Sequence, residues 1–410
     1  MTALMDDKDT FLTAFAQFEK AHAGDPPALV KLRHEAVERF AALGFPTLED
    51  EDWRFTPLAP LTRVSFRTDS AEDGPELVIP NGCIACDLVE ALAKHRELVE
   101  PHLARLAEFE DHAFRALNTA FLHDGTFVYI PPGRVIEQPI WVNFVARDAG
   151  DPFTWPRRLL VVAGRNSQAT ILERYSGSPG VTYFTNAVTE IVIDEGAILD
   201  HYKVQQEGDG AFHVATTQVR LGRSSNFSSH NLTFGGRLTR NDVNAYLGGE
   251  GGECTLNGLY VGDGERLIDN HTRIDHAKPH CASHELYKGV LDGKSRGVFA
   301  GRIYVHQDAQ KTDAKQTNQT LLLSDDAVID TKPQLEIFAD DVKCTHGATV
   351  GQLDAEAVFY LRSRGIGNED ARALLTFAFA NDVVGRIKIE PLRDELEKLL
   401  FAARTAKEAV

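Results

Sequence analysis

No apolar run in this 410-residue chain approaches the roughly 18 residues that a membrane-spanning helix needs, so no helical span is expected. Basic residues are also in short supply. The 43 Lys and Arg stand against 60 Asp and Glu, leaving a net charge of −17. Phosphate backbones and anionic bilayers repel such a chain, and neither nucleic acid nor membrane is expected as a partner. Cysteine occurs only at positions 83, 86, 254, 281 and 344, too sparsely for a disulfide framework. Reduced thiols in a cytoplasmic protein are the expectation. The segment Met1–Lys8 lacks the basic stretch and apolar core of a signal peptide. There is no Gly-x-x-x-x-Gly-Lys-Ser/Thr loop, so ATP is not bound through a P-loop. The absence of a Gly-x-Ser-x-Gly elbow and a His-Glu-x-x-His helix weakens hydrolase and metalloprotease readings.

What is present is a composition of 43% hydrophobic and 25% charged residues, long enough for two or three domains with a large core. Residues 1–125 read as mainly helical. Leu29, Leu32, Ala36, Val37, Phe40 and Leu43 recur at helical spacing and stop at Gly44-Phe45-Pro46. A second helical stretch runs from Asp87 to Leu106, and Asn81-Gly82 suits the tight turn of a short hairpin.

From 126 to 355 short Val/Ile/Thr/Tyr-rich runs alternate with Gly/Asp/Asn/Ser clusters. A weak repeat places related units at 159–167, 190–196, 218–224 and 244–248, then at 288–293 and 320–325. The first four recur about every 28 residues, an insertion of roughly 16 residues follows, and the last interval is about 29. Strands and turns at that period, without helices, predict the stacked coils of a parallel β-helix around a continuous apolar interior. A sandwich or propeller is the alternative, although propeller blades of about 40–50 residues fit the period less well. Residues 356–410 return to helix, with Asn368 as a candidate cap, an apolar stripe through Leu374, Leu375, Ala378, Phe379, Val383 and Ile387, and Pro391 in a further first turn. Two helices after a solenoid could cap its end or dock another subunit.

Four groups of residues could carry chemistry. Cys344 and His346 lie two apart in a strand-like run, which puts both on one face roughly 7 Å apart. A thiolate and an imidazole can hold iron, sulfur or zinc, or serve a nucleophilic site, but two ligands imply an open or shared metal site. His271, His276, His280, Cys281 and His284 are dense enough for zinc, yet match no standard finger, and structural histidines or a subunit contact is preferred. Cys83-x-x-Cys86 has redox spacing without an evident βαβ context and reads as two incidental thiols. Asp325-Asp326 and Asp340-Asp341 suggest a polysaccharide lyase or hydrolase less well than ordinary turns.

Longer blocks narrow the choice. They are Tyr287-Lys288-Gly289-Val290-Leu291-Asp292-Gly293, Gln316-Thr317-Asn318-Gln319-Thr320-Leu321-Leu322-Leu323-Ser324, Lys332-Pro333-Gln334-Leu335-Glu336-Ile337, Asp340-Asp341-Val342-Lys343-Cys344-Thr345-His346-Gly347-Ala348-Thr349 and Phe359-Tyr360-Leu361-Arg362-Ser363-Arg364-Gly365-Ile366. With Glu51-Asp52-Trp53-Arg54-Phe55-Thr56-Pro57-Leu58 and Ile130-Pro131-Pro132-Gly133, they resemble the SufB/SufD family of iron–sulfur cluster assembly proteins over nearly the whole chain, and within it the SufD-type branch. The resemblance implies a right-handed parallel β-helix between helical terminal domains. It also implies a non-catalytic scaffold that pairs with a SufB-type subunit through the C-terminal part of the β-helix. A SufC-type ABC ATPase would be held by the C-terminal helices, with Leu374, Leu375, Ala378, Phe379 and Val383 as candidate docking residues. Cys344 and His346 would contribute iron ligands to a transient nascent iron–sulfur cluster completed by the SufB-type partner. An isolated chain could pair with itself instead. The rival readings are a purely structural subunit, which needs no Cys344–His346 pair, and a secreted β-helix lyase or hydrolase, which would want a basic substrate groove.

Overall fold

The computed structural model describes residues 7–68, 74–123, 125–147 and 150–405. Within them, strands Gly125–Ile130 to Lys343–Gly351 wind into a parallel β-solenoid of about eight coils. Each coil contributes one strand to each of two sheets and pairs in parallel with the coils beside it, and one antiparallel strand from the N-terminal region, Glu76–Val78 in one sheet and Ile84–Asp87 in the other, brings each sheet to nine. The structure is mainly β with helices at both ends of the sequence, as the repeat predicts.

The inferred insertion is not there. The first four repeat units, 159–167 to 244–248, end strands of one sheet, whereas 288–293 and 320–325 end strands of the other. The apparent extra residues are a half-coil step between faces. Strands on both faces end in the same Gly- and Asp-rich turns, so the local pattern does not say which face a strand joins. The segment from Glu253 to His276 is a regular part of the winding.

The interior also departs from expectation. Apolar columns exist: Val161, Ile191, Val219, Ala245, Ile274 and Ile303 stack in register. Beside them runs a buried polar spine. His201 lies 3.0 Å from Glu173 and 3.1 Å from the Ser229 hydroxyl. Lys203 donates to Asn241 at 2.7 Å and lies 2.9 Å from His213. Burial alone would raise the Glu173 carboxyl, but His201 and Lys203 hold it down to about 2. Burial drives the Lys203 ammonium down to about 8. Elsewhere in the interior two glycines make room for buried tyrosine rings: a Cβ on Gly258 would run into the Tyr287 ring, and one on Gly289 into Tyr260.

Both helical ends lie on the flanks of the solenoid. The helix Pro27–Leu43 ends where expected, at Gly44 in the left-handed region (φ 65°), whose N–H reaches Phe40 O at 2.8 Å. Phe40, Phe114 and Phe121 pack with Phe184, Phe212 and Leu238 of one sheet. The buried Glu190 carboxylate fastens this layer by accepting from the backbone N–H groups of Ala104, Leu106 and Ala107 at 2.9–3.0 Å, and it pairs with Arg158. The predicted stretch 87–106 is two short helices, Leu88–Lys94 and Arg96–Val99, the first capped by the Asp87 side chain. Asn81-Gly82 does turn, but not as a hairpin. Glu76–Val78 joins one sheet and Ile84–Asp87 the other, so the turn crosses the end of the solenoid.

The C-terminal helices do not cap the solenoid. Asn368–Val384 and Glu390–Thr405 run back along the second sheet, where Ala380, Val383, Val384, Ile387, Leu392 and Leu396 bury Tyr202, Val204, Leu232 and Leu259. Asn368 is the first helical residue rather than a side-chain cap. A further helix, Ala355–Ser363, is capped by Asp354 and buries none of its residues.

Candidate functional site

The last coil has nothing above it among the described residues. Val328–Ile337 and Lys343–Gly351 are the outer strands of the two sheets. Their neighbourhood exposes Val328, Phe338 (57%) and Val350 (48%), and Phe359 on the adjoining helix is 71% exposed. An unpaired parallel edge with apolar side chains is a pairing surface. The entry to the last strand is nonetheless rigidly tied. Lys343 N donates to Thr312 O at 2.8 Å, Lys311 N to Asp341 O at 2.7 Å, and Asp341 N to Gln310 Oε1 at 2.9 Å.

Cys344 and His346 are in this strand, in register with Ala314 and Gln316 below. Both lower residues are buried in the interior, so parallel pairing places the thiol and the imidazole on the inward side of an open coil. Cys344 is half-buried among Ile303, Ala309, Ala314 and Ala339, while His346 is exposed. Burial, with a contribution from Asp313, pushes the Cys344 thiol up. The thiol is therefore protonated at neutral pH. Among the described residues no group of three or more His, Cys, Asp or Glu is arranged to hold a metal ion. A thiol and an imidazole are both donors that iron accepts, and two donors do not by themselves complete a tetrahedral site.

The other candidates separate. His271 faces out of one sheet against Asp269 at 3.0 Å, and His284 is exposed on a strand of the other sheet. His276 is buried against the Ser283 hydroxyl at 2.9 Å, and burial brings its imidazole down to about 4. Cys281 contacts Gly249 O, and His280 sits in a turn at φ 60°. Cys83 and Cys86 are half-buried and unpaired. A helix does follow Cys86, yet burial raises both thiols, the reverse of a redox-active pair. Asp325-Asp326 and Asp340-Asp341 lie in turns and bends.

Of the docking residues, Leu374 and Ala378 are exposed and Leu375 and Phe379 partly so. Val383 is fully buried against the solenoid and offers nothing to a partner. The helix is apolar on more than one side, and sequence periodicity does not say which side the solenoid takes. Sequence reasoning missed Glu285 and Gln316, two buried polar residues directly beneath His346. The signal was available: Gln316-Thr317-Asn318-Gln319-Thr320 is polar on both faces of a strand.

Residues 144–379 match the family described as SUF system FeS cluster assembly, SufBD core domain, and residues 66–142 match the SufBD protein N-terminal region. The chain belongs to the SufBD family. An iron–sulfur cluster assembly SufBD family protein of Synechocystis is 34% identical over 95% of this chain and 94% of its own length. The iron–sulfur cluster assembly protein SufD of Escherichia coli is 30% identical over 88% and 89%. SufD of Bacillus subtilis is 28% identical over 78% and 73%. A place in SUF-type iron–sulfur cluster assembly follows from this membership. The match to the core domain spans the solenoid from the end of its first coil through Cys344 and His346 into the helix Asn368–Val384. No helix among the described residues is long and apolar enough to cross a membrane.

Proposed function

We propose that this chain is a non-catalytic scaffold subunit of the SUF machinery, working in the cytoplasm. It pairs with a SufB-type subunit through the open end of its solenoid and holds a SufC-type ABC ATPase on the exposed side of Asn368–Val384. Cys344 and His346 are its share of the site where an iron–sulfur cluster, the cargo of the assembly, is built and released. The observation that carries this reading is the position of the pair: a thiol and an imidazole on the inward face of a terminal strand with no further strand above it among the described residues, bordered by exposed apolar residues. A half-site suits a cluster that must leave, because a complete rigid cage in one chain would retain it. ATP-driven approach of two ATPase copies would act through the C-terminal helices on the solenoid and open the interface.

The test is co-purification with SufB- and SufC-type partners, then anaerobic supply of iron and a sulfur donor with cluster absorbance as the readout. Cys344→Ala and His346→Ala should each reduce cluster yield to background while leaving the complex assembled. Normal yield from both variants overturns the ligand role, and failure of the partners to co-purify overturns the scaffold role.

A further inference from the structure

His346 stands at the top of an inward-facing column. Leu256, Glu285, Gln316 and His346 occupy one register position on four successive coils, with strands about 4.8 Å apart. Glu285 is 3% exposed, and burial pushes its carboxyl up to about 7. The Thr272 hydroxyl stands beside it from the opposite sheet. Cys254 and Tyr287 are its other titratable neighbours, on the strand below and on its own strand. Gln316, 1% exposed, donates Nε2 to Glu285 Oε2 at 2.8 Å. Facing that amide from the opposite sheet are Phe299 and Gly301, and a Cβ on Gly301 would collide with it.

The bond to Glu285 occupies the donor side of the Gln316 amide. Its acceptor, Oε1, is buried without a hydrogen-bond partner. A buried carbonyl left in this state costs about 1–3 kcal/mol, so the position calls for a donor. The next residue in the column is His346, whose ring is exposed and carries an N–H.

We propose that Gln316, locked by Glu285, is the positioning residue for His346: its Oε1 accepts the N–H of one ring nitrogen and turns the lone pair of the other toward the side where Cys344 presents its thiol. The amide then does for His346 what a carboxylate or backbone carbonyl does behind many metal-binding histidines. It selects the tautomer and fixes the plane of the ring. Glu285 contributes by keeping the amide from flipping, since either charge state of its carboxyl can accept from Nε2. The consequence for cluster building rests on the reading of Cys344 and His346 given above, but the tautomer can be measured without any cluster.

The experiment uses the full chain, metal-free and labelled with 15N at histidine, at about pH 8, where an ordinary imidazole is neutral. His346 is assigned by its loss in His346→Gln. The wild type is expected to show one predominant His346 tautomer. Gln316→Leu should give averaged tautomers, as should Glu285→Leu, which frees the amide to flip. Glu285→Gln keeps an acceptor and should restore the wild-type pattern. Identical His346 signals in the wild type and in folded Gln316→Leu overturn the proposal. If Gln316→Leu does not fold, equal signals from Glu285→Leu and Glu285→Gln overturn it as well. In the reconstituted complex Gln316→Leu should lower cluster yield about 10-fold, against loss to background for Cys344→Ala. Full yield from Cys344→Ala and His346→Ala would sink the cluster reading and leave the tautomer result standing. An unchanged tautomer would do the opposite.

Discussion

Lys288 Nζ lies 2.9 Å from Asp382 Oδ2, and the same ammonium donates to Phe379 O at 3.2 Å and sits 4.4 Å from the centre of the Phe379 ring. One nearly buried cation from a solenoid strand thus fastens the helix Asn368–Val384 to the sheet beneath it. The helix is a part of this molecule's own flank as well as a candidate platform for a partner. Lys288→Met should accelerate amide exchange in 368–384 while the solenoid strands stay protected. The hydrogen bond from Lys288, ahead of a second from Arg386, lowers the Asp382 pKa. A lowered carboxylate pKa means that the clamp is intact above about pH 4 and fades as pH falls below it. Exchange that does not respond to Lys288→Met would show that apolar packing alone holds the helix.

The two faces of that helix should respond oppositely to a charge. Leu374→Glu, on the exposed side, is expected to leave the melting temperature near that of the wild type and to abolish co-purification of the proposed ATPase partner. Val383→Asp places a carboxylate where no partner waits and should cost on the order of 3 kcal/mol or more. Thermal melts and pull-downs on the two variants separate docking from folding.

Glu285 gives a pH-dependent stability of definite sign. Its folded pKa of about 7 lies above the ordinary 4.5 because of burial. Its neutral form is accommodated at low pH, and stability is lost as pH rises from about 4.5 to 7. Glu285→Gln should therefore be more stable than the wild type at pH 8, by about 3 kcal/mol if the whole shift is realised. The difference should vanish near pH 4.5. Denaturant titrations at the two pH values check it, and equal stability at both would mean that the carboxylate has another partner.

Glu190 is a different kind of buried carboxylate. It accepts three backbone N–H groups from 104–107 and pairs with Arg158, so it joins the N-terminal layer to the solenoid. Glu190→Ala strands a buried guanidinium and three amide donors, and the expected loss is about 3–5 kcal/mol. The readout is chemical denaturation, with early exchange of the Leu103–Ala107 amides as the local signature.

The open end predicts self-association in the absence of a partner. Val350→Lys together with Phe338→Asp should shift an isolated dimer to monomer in sedimentation velocity, without changing the circular dichroism spectrum. A chain that is monomeric before mutation, at concentrations of tens of micromolar, would refute the expectation.

Much of this was legible in the residues. The strand-and-turn period near 28, the stop at Gly44 and the first-turn Pro391 all reflect local conformational preferences, which survive whatever the chain packs against. Cys344 and His346 were legible as a pair because a strand places i and i+2 on one side. Less was legible where the answer depends on what faces a side chain. The half-coil step was mistaken for an insertion because turns of both sheets look alike. Val383 was grouped with Leu374 because helical periodicity finds apolar positions, not their occupant. Glu285 and Gln316 went unnoticed because a polar strand residue is ordinarily taken to point outward.

The sequence by itself determined the period of the winding, the places where it turns, the thiol–imidazole pair and the family to which the chain belongs. Those depend on dihedral preference, side-chain alternation and residue identity, which are local. Only the tertiary structure decided that the helices flank the solenoid instead of closing it, that its interior is partly ionic, and that an unpartnered amide oxygen lies beneath His346. Each of these follows from what stacks on what across coils some 30 residues apart, and no local preference encodes it.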